Sequence, residues 1–281
     1  MELPSSCFIY PYFFILIFII IHIVIYFLII KFINNVEKLA FVWGMINWSI
    51  AIGAIYFGIM NIFNFETNSD GQKILKALIS GIIPPITEDV GRFIVFTFIY
   101  KSKNHNFNNS LIFGAGHGGL ESIVLMSITQ IINLMQFYAI KNAKDEEELE
   151  KNNLIKIYQL YKDGIANEEI FWLIIRFSGN LFHMGASVII YRLSLNRKER
   201  KFIIFFTILF IFHFIIDSFG QFISLYELNI WYNLVFIGLD VVIVIIGYFV
   251  WKENTNKEFS DYNFGNNESI IQMGNIPDNN D

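Results

Sequence analysis

Seven stretches of this chain are long and apolar enough to do without water: residues 8–30, 39–63, 74–100, 110–140, 169–193, 202–225 and 230–251. About 20 mostly apolar residues suffice for a helix to cross the hydrocarbon core of a bilayer. In that medium every backbone N–H and C=O must be bonded within the protein, and helices do this segment by segment. The expectation is an all-α fold, a polytopic membrane bundle of about seven transmembrane helices occupying residues 1–251. Only 16% of residues are charged and 54% are hydrophobic, whereas a soluble domain carries about 25% charged residues. The net charge of −5 comes from acids gathered in one loop and the tail, which offers nothing to nucleic acid. Cys7 is the single cysteine, so no intrachain disulfide can form. The first apolar stretch is too long for a signal-peptide core and lacks a basic leader, so it reads as a retained span.

Between the spans, residues 141–168 read as a charged loop with weak helical periodicity. Residues 252–281, Asn-rich and acidic, read as disordered. Pro84-Pro85 and the glycines of "FGAGHGGLES" (113–122) predict kinks in the third and fourth spans. The abundance of Ile, Asn, Phe and Lys suggests an AT-rich bacterial genome and hence a multi-pass protein of a bacterial plasma membrane. The basic run "NRKERK" at 196–201 contrasts with a Lys/Arg-free N-terminus and 226–229 turn. By the positive-inside rule the N-terminus lies outside and the C-terminus inside.

Ionisable groups at membrane depth are costly and usually mark function. The third span carries Glu88, Asp89 and Arg92; the fourth His117 and Glu121; the fifth Arg176 and His183; the sixth His213 and Asp217; the seventh Asp240. Glu88/Arg92, His117/Glu121 and His213/Asp217 are i, i+4 pairs, so three helices each present two ionisable groups on one face. At 1.5 Å per residue these groups and His183 fall about 10–22 Å from the proposed inner ends of their helices, within one slab. One buried polar cluster is the economical reading. Asp240 and Arg176 lack an ionisable i±4 partner and read as structural; His22 and His105 read as incidental. The glycines Gly114, Gly116 and Gly119 match G-x-G-x-x-G, but no strand precedes them and the nucleotide reading fails. They clear space around His117 for a neighbouring helix or a substrate backbone.

An acidic pair followed by Arg (Glu88-Asp89-x-x-Arg92), then Phe113-x-x-x-His117 with Glu121, then His213-x-x-x-Asp217, resembles the YhfC-type membrane peptidases, within the wider group of CAAX prenyl proteases, CPBP (Abi) proteins and PrsW proteases. "GHGGLES" most resembles the YhfC branch. The second acid is Asp, and the basic residue follows at PrsW-like spacing. The resemblance implies an intramembrane peptidase acting on a membrane protein or peptide. Glu88 would be the base that activates water, oriented by Arg92. His117 would help hold the water with Glu121 behind it, and His213, oriented by Asp217, would donate to the oxyanion. Asp89 and His183 are additional candidates. A metal scheme stands beside this one, with zinc or another divalent ion on His117, His183 and His213 plus Glu88 or Glu121; the metal-free scheme is slightly preferred. The alternative of another class is a proton-coupled transporter using the same Glu/His/Asp cluster, which often shows repeated halves; no repeat is visible. Reporter fusions after Ile155 and Ser260 are expected to lie on opposite faces of the membrane. Finding both on one face would remove this topology.

Overall fold

The structure is a computed structural model that describes residues 6–32, 36–56, 69–99, 107–152, 154–163, 166–195, 200–226 and 234–273. Among the described residues every regular element is helical. The elements are α1 (Ser6–Phe32), α2 (Lys38–Ser49, continued by a π-helical stretch Ile50–Tyr56), α3 (residues 70–99), α4 (Phe107–Asn142), α5 (Glu146–Lys151), α6 (Ile155–Asp163), α7 (Ala166–Leu195), α8 (Arg200–Tyr226) and α9 (Leu234–Met273). Large apolar side chains such as Met135, Ile204 and Phe249 point outward, while Glu88, Asp89, Arg92 and His117 are buried. That inside-out distribution suits a bundle whose solvent is lipid.

Four described helical segments are long and apolar enough to cross a membrane: Phe107–Asn142, Trp172–Leu195, Arg200–Leu225 and Leu234–Glu253. α1 adds a shorter apolar stretch, Leu16–Ile29. α2 and α3 cover the described parts of two further expected spans, and residues 57–63 of the former lie outside the described residues.

α3 opens with a capping box. The Ser69 side chain accepts from Gln72 N, and the Gln72 side chain accepts from Ser69 N at 3.0 Å. The rod is α-helical over Asp70–Pro84, π-helical over Pro85–Asp89, α-helical over Val90–Ile94 and π-helical over Val95–Ile99. Two prolines remove two helical donors, and the backbone widens where they do so. Thr87 Oγ1 donates to the carbonyls of Ile83 (3.0 Å) and Pro84 (3.2 Å) across this stretch. The irregular turn carries Glu88 and Asp89, in keeping with the association of π-bulges with functional sites. The glycine cluster, by contrast, leaves α4 an unbroken α-helix.

α4 is the central helix and packs most extensively against α7 and α2. Its glycines make that possible. A Cβ on Gly114 would meet the backbone of His183 and Met184 in α7, and one on Gly118 would meet Asn180 and His183. A Cβ on Gly116 would strike Phe41 of α2, whose own Gly44 lies against Phe113 and His117. The two uses left open by the sequence thus resolve toward helix packing, with Gly114 and Gly118 toward one neighbour and Gly116 toward another. Gly81 meets Ser218 of α8, and Gly185 meets α9 near Ile243 and Gly247.

The described part of the 141–168 segment packs as a cap on α4. Leu149 and Tyr158, from α5 and α6, pack with Phe137, Ile140 and Ala143 at the end of α4. α9 runs as helix from Leu234 to Met273, and residues 274–281 of the expected polar tail lie outside the described residues. Gly116→Leu is expected to lower the melting temperature of the detergent-solubilised protein, since overpacking costs about 1–3 kcal/mol or more. Gly53→Leu is the control, because nothing among the described residues lies within 4 Å of a Cβ there. Equal melting temperatures for the two variants would contradict the α2–α4 seam.

Candidate active site

Four helices bring eight of the expected groups together, and a fifth adds a residue that sequence reasoning missed. Glu88 Oε2 is the hub. It lies 2.9 Å from His117 Nε2, 3.4 Å from Arg92 Nη2, 3.8 Å from His213 Nε2 and 4.0 Å from His183 Nδ1. Arg92 Nη1 donates to Asp89 Oδ1, and Nη2 donates to His183 Nδ1 at 2.6 Å. His183 Nε2 in turn reaches Glu121 Oε2 at 2.7 Å. His213 is held by Asp89, with Nδ1 3.1 Å from Oδ2, while its Nε2 lies 3.3 Å from Asp217 Oδ2 without a hydrogen bond between them. The imidazole centroids of His117 and His183 are 4.7 Å apart, and those of His183 and His213 are 6.0 Å apart.

A guanidinium has donors only, so His183 Nδ1 accepts and its proton sits on Nε2, facing Glu121. Arg92 and Asp89 have no exposed surface, whereas Asp217 is 30% exposed, Arg176 27% and Glu121 19%. The cluster is therefore closed at Asp89, Arg92 and His117 and open at Glu121, Arg176 and Asp217. Glu121 follows His117 along α4, so the opening lies toward the end of the bundle that carries α5 and α6.

Several assignments read from spacing change. Glu121, expected behind its i−4 neighbour His117, instead serves His183 and stands 3.7 Å from Arg176 Nη1. Two residues on one helical face need not touch when closer partners arrive from other helices. Arg176, expected to be structural, therefore borders the site. Arg92 grips Asp89 and His183 more closely than it grips Glu88, and Asp89 is a full member of the network. Asp240 accepts from Ser178 Oγ at 2.7 Å, and the His22 ring bonds the Phe18 carbonyl at 2.9 Å, both as local structural uses. His105 lies outside the described residues. The missed residue is Asn47 of α2, whose Nδ2 lies 3.2 Å from His117 Nδ1 and 3.3 Å from the Glu88 carbonyl oxygen. A lone amide inside the apolar "WGMINWS" was its available signal.

Glu88, His117, Glu121 and His183 each offer one ligand atom within 4.8 Å of the others. A set of two imidazoles and two carboxylates suits zinc or a similar divalent ion. The surrounding charge suits a cation too. Four carboxylates (Glu88, Asp89, Glu121, Asp217) face two guanidiniums (Arg92, Arg176), leaving a formal excess of two negative charges when the histidines are neutral. His213, expected among the ligands, is not in the group.

Breaking a buried ion pair on one side leaves an uncompensated charge, at about 3–5 kcal/mol. Arg92→Met is expected to destabilise the folded protein by that amount. The exposed Lys201–Glu253 pair, 2.8 Å apart, should contribute about 1 kcal/mol or less, so Lys201→Met is the reference. Comparable losses in a detergent denaturation series would refute the central role of Arg92.

The family model described as "YhfC intramembrane metalloprotease" matches residues 13–244. A relative from Bacillus subtilis (strain 168), described as "Uncharacterized membrane protein YhfC", is 24% identical over 150 residues, which cover 52% of this chain and 58% of that protein. The match thus spans little more than half the length of the relative. No solved structure matches the chain. The ordered acidic, His and His-x-x-x-Asp segments fall within the matched region, as do all five helices that build the cluster. This multi-pass membrane protein belongs to the YhfC intramembrane metalloprotease family.

Proposed function

We propose that the protein is an intramembrane peptidase that hydrolyses a peptide bond of a membrane-associated protein or peptide with a water activated at Glu88. The observation that carries the reading is a buried carboxylate surrounded by three histidines, in a cluster open on one side. Amide hydrolysis needs a base for the water, a donor for the oxyanion and exclusion of bulk solvent. Glu88 takes the proton of the attacking water and later passes it to the leaving amine. His117 Nε2 holds the carboxylate in place at 2.9 Å. His213 is anchored through Nδ1 on Asp89, and its Nε2, beside Asp217 and 3.8 Å from Glu88 Oε2, is the nitrogen left to donate to the developing oxyanion. Arg92 fixes Asp89 and His183 and so keeps the floor of the site rigid.

Glu88, His117, Glu121 and His183 would hold a divalent ion, His117 Nε2 giving up its bond to Glu88 to do so, and the ion would supply Lewis acidity to the reacting oxygen. The donor set and its excess negative charge support that scheme over the metal-free one. Residues 1–251 would form the peptidase unit, with all seven apolar segments crossing the bilayer. Substrate would enter from the side where Glu121, Arg176 and Asp217 are exposed.

Glu88→Gln keeps shape and hydrogen bonding but cannot take the proton. It is expected to slow cleavage of a tagged membrane-peptide library by about 10²–10⁴-fold with substrate binding retained. Asp217→Asn should do less damage, since it loosens His213 without removing it. Wild-type cleavage by Glu88→Gln would overturn the assignment, and absence of cleavage by the wild type with loss of proton-coupled transport in the variant would favour a transporter.

A further inference from the structure

We propose that Asn47 is a positioning residue that sets the tautomer of His117, and through it decides whether His117 Nε2 acts as a donor to Glu88 or as a ligand. A carbonyl oxygen only accepts, so the part of the Asn47 amide facing the Glu88 carbonyl at 3.3 Å is its NH₂ group. The same nitrogen lies 3.2 Å from His117 Nδ1. An amide NH₂ offers hydrogens and no lone pair, so Nδ1 accepts. A neutral imidazole carries one proton, and which nitrogen holds it follows from the bond made by the other. The proton is therefore on Nε2, which donates to Glu88 Oε2 at 2.9 Å.

Asn47 is 6% exposed, so the two bonds have no water to replace them. The amide also has a prepared seat. A Cβ on Gly91 would come within 2.5 Å of Asn47 Oδ1, so the absence of a side chain at 91 leaves room for this orientation. One amide from α2 thus holds the backbone of the base and the ring that orients its carboxylate, joining α3 to α4. For His117 Nε2 to present a lone pair to a cation, its proton must move to Nδ1. The Asn47 amide must then turn its oxygen toward the ring and give up the Glu88 carbonyl.

The tautomer assignment stands independently of the peptidase reading; its effect on turnover rests on that reading. The test is nitrogen NMR of ¹⁵N-histidine-labelled, chelator-treated protein in lipid nanodiscs at neutral pH, with the His117 ring signals identified by their loss in His117→Gln. The wild type should show a protonated Nε2 and an unprotonated Nδ1. Asn47→Asp should invert the pattern, because a carboxylate accepts from Nδ1–H. Asn47→Leu, close in size, should give a mixture, and Gly91→Ala, which alters no side chain of the cluster, should move the wild-type signals toward that mixture. If the peptidase reading holds, Asn47→Leu should also lower kcat by about 10–100-fold with KM little changed. A wild-type His117 protonated on Nδ1, or on both nitrogens, would overturn the proposal. So would a pattern identical to wild type in Asn47→Leu. An inactive wild type with the expected tautomer pattern would sink the peptidase reading and leave this one standing.

Discussion

A guanidinium without exposed surface, inside a bundle whose outer face is apolar, dictates much of what surrounds it. Arg92 brings donors and no acceptor, and water is not there to satisfy them. Asp89 from its own rod, His183 from α7 and, at longer range, Glu88 take up its two terminal nitrogens, while Nε is buried without a hydrogen-bond partner among the described residues. Asp89 then has an oxygen left to hold His213 of α8. A single buried cation thereby fixes the relative positions of α3, α7 and α8. Buried ion pairs seldom add net stability, because desolvation offsets the attraction. Here the gain is geometric, in that the histidines and Glu88 stand in one arrangement.

That arrangement requires helices closer together than ordinary side chains permit. Association in lipid gains little from the hydrophobic effect and relies on packing and interhelical bonds. Glycine supplies both conditions. Gly114 and Gly118 let α7 press its backbone against α4, which brings His183 beside His117. Gly116 and Gly44 let α2 approach from another side, which brings Asn47 onto His117 Nδ1. The π-helical turn after Pro84 serves the same end on α3, where Glu88 and Asp89 are adjacent in sequence and both turned into the core.

Much of the site was legible because membrane depth makes charge conspicuous. Glu88, Arg92, His117, Glu121, His183, His213 and Asp217 stand out in apolar runs, and the helical repeat puts paired members on one face. Which partner each would take was not legible. His213 does meet Asp217 four residues on, but His117 does not meet Glu121, since Glu88 and Asn47 reach its ring first. Asn47 carries no charge and has no paired residue at helical spacing, so its one signal was an amide in an apolar run. The cap of α5 and α6 was hidden for another reason. Its apolar anchors, Leu149 and Tyr158, are few and far apart among charges, and they acquire meaning only against Phe137 and Ile140.

The sequence by itself determined that this is a helical membrane protein with ionisable groups at a common depth. Those properties depend on local composition and on the fixed rise of a helix, and both are written in consecutive residues. The tertiary structure alone decided that Glu88 is the hub, that Glu121 belongs to His183, that Arg176 borders an opening, and that Asn47 faces His117. These depend on separations of a few ångströms between residues 29 to 125 positions apart in the chain. Such separations are set by where glycines let backbones touch and by where a buried guanidinium finds its acceptors, and neither is a property of any single segment.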